Sequence, residues 1–142
     1  MGVREQIIDA FQRTPQPRMG DVSLPTYDDE DTAAYFTGKT WQGHTTKDLR
    51  THDSSLSFFT ASAFRYFVPA YMLAELDDPE TADVIAEGIL FHLTKGSRAN
   101  DLLRQFTEQE REAIACFFQE CATRYDIAAF EAGANRVRQK AG

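Results

Sequence analysis

The chain has 142 residues, 42% of them hydrophobic and 26% charged, with a formal net charge of −7. That length fits one domain that buries a core without a metal or disulfide staple, and the composition argues against global disorder. The negative charge sets the surface against phosphate backbones, which speaks against nucleic acid as a partner and makes a basic protein the natural complement.

The opening "MGVREQIIDAF" lacks the basic start and continuous apolar run of a signal peptide, and Gln6 stands where a myristoylation motif needs Ser or Thr. The expectation is a cytoplasmic protein with no membrane association. Residues 3–12 form a short amphipathic helix with Val3, Ile7, Ile8 and Phe11 on one stripe. The N-terminal helical segment, 1–13, is followed by the proline-rich stretch 14–27, which reads as an extended connector. The main helical body then runs over 28–142. It begins with the acidic run Asp28, Asp29, Glu30 and Asp31, whose charges favour a helix start ahead of "TAAYF", with Gly38 as the stop. A short helix around 46–52 follows, capped by Thr45.

Leu56 to Leu76 reads "LSFFTASAFRYFVPAYMLAEL". Arg65, Glu75 and Pro69 interrupt it as a membrane span. Thr60 caps a helix from about 61 to 76 that is apolar nearly all round, as a central helix is. Pro69 frees the Arg65 carbonyl and should kink it. A strand through "FRYFV" is the competing reading. Arg65 needs water or a carboxylate partner, and its neighbours in sequence name neither. Asp78 and Pro79 start another helix, with Val84, Ile85, Ile89 and Leu93 facing inward. "TEQE" (107–110) is a capping box, followed by the stripe Ile114, Phe117, Phe118, Cys121, Ala122 and Tyr125. Asp126 restarts a last helix bearing Ile127, Phe130, Ala134 and Val137. Cys116 and Cys121 point in different directions on that penultimate helix, so free thiols are expected. The sum is an all-α bundle of five to seven helices around a kinked apolar one.

Chemistry is sparser. No nucleotide-binding, nucleophile-elbow or zinc-protease motif occurs. His44, the pair His52–Asp53, His92 and Asp101 resemble the ligand set of helical metal-dependent phosphohydrolases of the HD type, where imidazole and carboxylate hold a divalent metal. Solvent-exposed loop histidines are the plainer reading of the same residues. Asp77, Asp78 and Glu80 read as helix-start charges on a solvated face, or as part of an acidic binding surface. Trp41, the sole tryptophan, is either a buried plug or a binding anchor.

The block Leu56, Phe58, Phe59, Thr60, Ala63 through Tyr71, with Trp41 before it and Thr107 and Glu110 after, resembles a small bacterial family of unknown biochemical activity. Its members carry an L-x-F-[FL]-T-x-x-A-F-R-[YF]-[YF]-[LV]-P-A-[YF] segment, and the likeness covers roughly 41–120. Ala61 and Ser62 depart from it, standing where a Pro-Glu pair is common. Some proteins of this type look like immunity proteins of interbacterial toxin systems, including type VI secretion effectors with nuclease domains. The resemblance therefore implies a non-enzymatic inhibitor, without cofactor or metal, of a cognate toxin with a basic active-site face. Asp28, Asp29, Glu30 and Asp31, then Asp77, Asp78 and Glu80, would steer that partner, with Tyr35 and Trp41 as anchors. A non-toxin adaptor is the remaining alternative, and the excess apolar surface also fits a homodimer.

Overall fold

The computed structural model describes residues 1–25 and 29–139. Ten helices occur among them: α1 (Val3–Phe11), α2 (Asp29–Phe36), α3 (Thr46–Thr51), α4 (Ser55–Phe58), α5 (Ala61–Asp77), α6 (Pro79–Ala82), α7 (Ile85–Thr94), α8 (Ala99–Gln105), α9 (Glu108–Tyr125) and α10 (Ala128–Arg138). The all-α reading holds, and the competing strand through "FRYFV" gives way to α5. The only ladder-like pairing among the described residues is one bridge between Ser23 and Phe59.

α5 is central for a physical reason. Eleven of its 17 residues are buried, including Phe64, Tyr66, Phe67, Tyr71 and Met72, so its apolar surface extends nearly all round. α1, α3, α6, α7 and α8 pack on it, while α9 and α10 pair with each other and reach α1 and α7. An aromatic cluster fastens α2 to α5: Phe36 lies 4.9 Å from Phe59 and 4.7 Å from Phe67, measured between ring centroids. Such pairs contribute about 0.5–1.5 kcal/mol each beyond their area burial. α5 continues through Pro69 as one helix.

The two long helices α5 and α9 are tied by polar side chains at both ends. Near their starts Arg65 donates to Glu110, Nε to Oε1 at 2.9 Å and Nη2 to Oε2 at 3.2 Å. Near their ends the Tyr125 hydroxyl donates to Glu75 Oε2. Because 65 meets 110 and 75 meets 125, the two helices run in the same direction. Arg65 thus has the carboxylate partner its neighbours in sequence could not supply.

Local signals placed the helix starts. Thr45, Thr60 and Thr107 accept the backbone amides of Asp48, Ala63 and Glu110, and Asp78 accepts that of Thr81. The capping box is complete, since Glu110 Oε1 also accepts the Thr107 amide at 2.7 Å. Gly38 has a positive φ of 80°, which suits its place two residues past α2. The described part of the connector turns at Met19–Gly20 and is not free: Val22 is buried, and the Leu24 amide donates to the Phe58 carbonyl at 2.7 Å.

Three expectations are corrected. Ten helices stand in place of five to seven, because α4 and α8 form in segments that carried no helix expectation and the helix after Asp78 is broken in two. The break is at Asp83, whose φ of 54° ends α6 and turns the chain before α7. That turn throws Val84 outward, 42% exposed, while Ile85, Ile89 and Leu93 face inward as expected. At the other end Ile127 precedes α10 and is 41% exposed, so it is not part of the inward stripe.

Candidate functional site

The carboxylates gather where α3, the end of α5 and α6 meet. Asp48 lies in the first turn of α3, Asp77 ends α5, Asp78 caps α6, and Glu80 lies in the first turn of α6. All four are exposed. Asp53 and Asp83 flank them and share one cation, with Arg50 Nη1 2.8 Å from Asp53 and Nη2 3.3 Å from Asp83. Asp77 is paired with Arg4 across α1, the Arg4 Nε donating to Oδ1 at 2.9 Å. Asp48, Asp78 and Glu80 have no basic partner among the described residues. These charges therefore act outward, on solvent or on a partner.

Beside this corner a shallow cleft of about 190 Å³ is lined by Trp41, His44, Thr46, Leu73, Ala74 and Asp77, among others. Its wall is rigid. His44 Nε2 lies 2.7 Å from the Thr40 carbonyl, which only accepts, so Nε2 carries the proton. Nδ1 is then the acceptor for the Tyr35 hydroxyl at 2.8 Å. The Tyr35 ring stacks on His52 at 4.2 Å, and Lys39 Nζ lies 3.5 Å from its centroid. Burial, with Asp48 nearby, holds the Tyr35 hydroxyl above its ordinary range, so the phenol stays a neutral donor at neutral pH. The Tyr71 hydroxyl donates to the His52 carbonyl at 2.6 Å, which joins this wall to α5.

Trp41 and Asp77 line the cleft, Tyr35 is joined to it through its hydrogen bond to His44, and Asp78 and Glu80 lie on the adjoining turn. Of the two roles open to Trp41, its burial favours the plug: it is 3% exposed and belongs to the core, though it also lines the cleft. Asp28 lies outside the described residues; α2 begins at Asp29, passes through Glu30, and presents an exposed Asp31 in its first turn. The HD-type set does not assemble. Both His44 nitrogens are engaged, Asp53 pairs with Arg50, Asp101 pairs with Arg104 on α8, and His92 Nε2 meets the Ser57 hydroxyl. Among the described residues no three His, Cys, Asp or Glu side chains lie together as a metal-ligand group.

Sequence reasoning missed Arg4, Lys39 and Arg50, which restrain this corner. Arg4 and Asp77 are 73 residues apart, and no local pattern marks such a pair. The thiols are as expected: Cys116 and Cys121 are free, and burial pushes the Cys121 thiol up to about 12, which leaves it an inert core group.

Among the described residues no helix is long and apolar enough to cross a membrane. A family of unknown function, DUF6714, matches residues 3–136. No curated protein matches the chain, and no solved structure does.

Proposed function

The chain belongs to the DUF6714 family, whose function is unknown, and for this member we propose a binding role: an immunity protein that neutralises a basic interbacterial toxin through an acidic face. The observation that carries the reading is the α3–α5–α6 corner. There Asp48, Asp78 and Glu80 stand exposed without basic partners among the described residues, beside a cleft lined in part by His44, which Tyr35 holds through a hydrogen bond. A nuclease grips phosphate with a basic surface, and an acidic face of this kind attracts and covers such a surface. The net charge of −7 extends the attraction over the whole molecule. Asp31, exposed in the first turn of α2, adds to it.

A rigid wall suits this task, because side chains already fixed by hydrogen bonds lose little freedom on binding. Hot-spot energy is assigned to the half-buried Tyr35 and to the cleft margin, and steering to Asp31, Asp78 and Glu80. The toxin type follows from the resemblance of the Leu56–Tyr71 block, and the acidic face supports it.

The test is co-expression. A toxin domain encoded beside this reading frame should stop bacterial growth when expressed alone, and growth should return when this chain is supplied. Continued killing in its presence, with both proteins detected, ends the proposal.

A further inference from the structure

A second surface lies away from the acidic corner. α7 and α10 bound a groove of about 550 Å³ whose floor is apolar: Leu90 and Phe91 from α7, Ala129, Ala132 and Gly133 from α10. Phe91 is 52% exposed, a large ring held against water at the groove margin. The hollow opposite it exists because α10 presents small residues there. A Cβ on Gly133 would meet the tip of the Leu90 side chain, so glycine there lets Leu90 lie close against α10.

The charges on this face are arranged in a telling way. Glu87, Phe91 and Lys95 all line the groove and are spaced by four residues, so they follow one side of α7 over about 12 Å. The carboxylate is at one end, the aromatic ring in the middle and the ammonium at the other end. Neither Glu87 nor Lys95 has an ion-pair partner among the described residues. A pattern that reads minus, apolar, plus is complementary to itself when reversed.

We propose that this face is a homodimer interface in which α7 packs antiparallel against α7 of a second copy. Glu87 of each copy meets Lys95 of the other, and each Phe91 enters the hollow over Ala129, Ala132 and Gly133 of the other. A two-fold contact requires this self-complementarity: whatever one residue touches must touch it back. The surface holds both its knob and its hole. It fits a second copy better than the basic partner of the acidic corner, because Lys95 and Arg136 on its rim would repel that partner. The inference is independent of the proposed function, and its test needs only this chain.

Sedimentation of the purified protein over a wide concentration range decides it. The weight-average mass should rise towards twice the monomer mass. Phe91→Glu should weaken association by about 30-fold or more, the loss that follows removal of a buried aromatic anchor. The half-exposed position makes that variant safe for folding, which an unchanged melting curve would establish. Glu87→Lys and Lys95→Glu should each weaken the dimer, and the double exchange should restore it. A monomer at every concentration overturns the proposal, as does a dimer indifferent to Phe91→Glu. Failure of the double exchange to restore association overturns the antiparallel register.

Discussion

Glu110 satisfies four donors from three parts of the chain: the Thr107 amide, the Thr14 hydroxyl, and Nε and Nη2 of Arg65. Its side chain is 2% exposed against 22% for Arg65, so this pair sits where water cannot replace a missing partner. Glu110→Ala should therefore destabilise the fold by about 3 kcal/mol in denaturant titration, the cost of stranding a largely buried charge and losing half a cap. Glu110→Gln, which still accepts hydrogen bonds, should cost clearly less. Glu75 is the opposite case. It is 0% exposed, and its Oε1 has no hydrogen-bond partner among the described residues while Oε2 takes the Tyr125 hydroxyl. Burial raises its carboxyl above the ordinary glutamate range, and the Tyr125 hydrogen bond only partly opposes that. The folded chain thus holds this proton to higher pH than the unfolded chain does. Its contribution is harmless below the ordinary range, becomes unfavourable as pH rises through the raised folded value, and stays so at neutral pH. The stability of Glu75→Gln relative to the parent should accordingly increase from acid to neutral pH. A constant or shrinking difference would show that the carboxyl is not strained by burial. The sequence showed Glu110 as half of a capping box, because capping is local. Its pairing with Arg65, 45 residues away, depends on how α9 lies beside α5, and no short pattern encodes that.

Helix starts and helix continuity differ in how far they depend on distant contacts. Thr45, Thr60, Asp78 and Thr107 were legible as caps because each needs only a side-chain oxygen three residues before a free amide. The break at Asp83 was not legible, since Val84 to Leu93 continues the apolar spacing that Asp78 begins. The turn takes its form from the packing of α6 against α3 and of α7 against α5. Asp83 occupies a φ of 54° and ψ of −103°, a conformation unfavourable for any residue with a Cβ, and its ion pair with Arg50 is exposed. Exposed pairs contribute little, so strain relief should outweigh their loss. Asp83→Gly should raise stability by about 1 kcal/mol, read as a higher melting temperature. A drop would mean that the Arg50 fork, not the backbone, governs this turn. α4 and α8 were missed for a similar reason. Each is short, and neither carries a side-chain cap hydrogen bond at its start.

At the scale of the molecule, two faces have different characters. The α3–α5–α6 corner is acidic and locally rigid, and the α7–α10 groove is apolar with charges of both signs. Overall acidity and the all-α class were open to composition and periodicity. The meeting of Trp41, His44 and Asp77 at one cleft was not, because those residues reach it from separate segments brought together by packing on α5. On the proposed function, the acidic corner binds a basic protein partner. Stopped-flow association with the toxin domain encoded beside this reading frame tests it most directly, over a series of salt concentrations. Tight binding is predicted, with an association rate that falls steeply as salt rises. Asp78→Asn combined with Glu80→Gln should slow association several-fold at low salt and flatten that dependence, with little change at high salt. An association rate indifferent to both salt and the two substitutions, or no binding at all, would contradict the account.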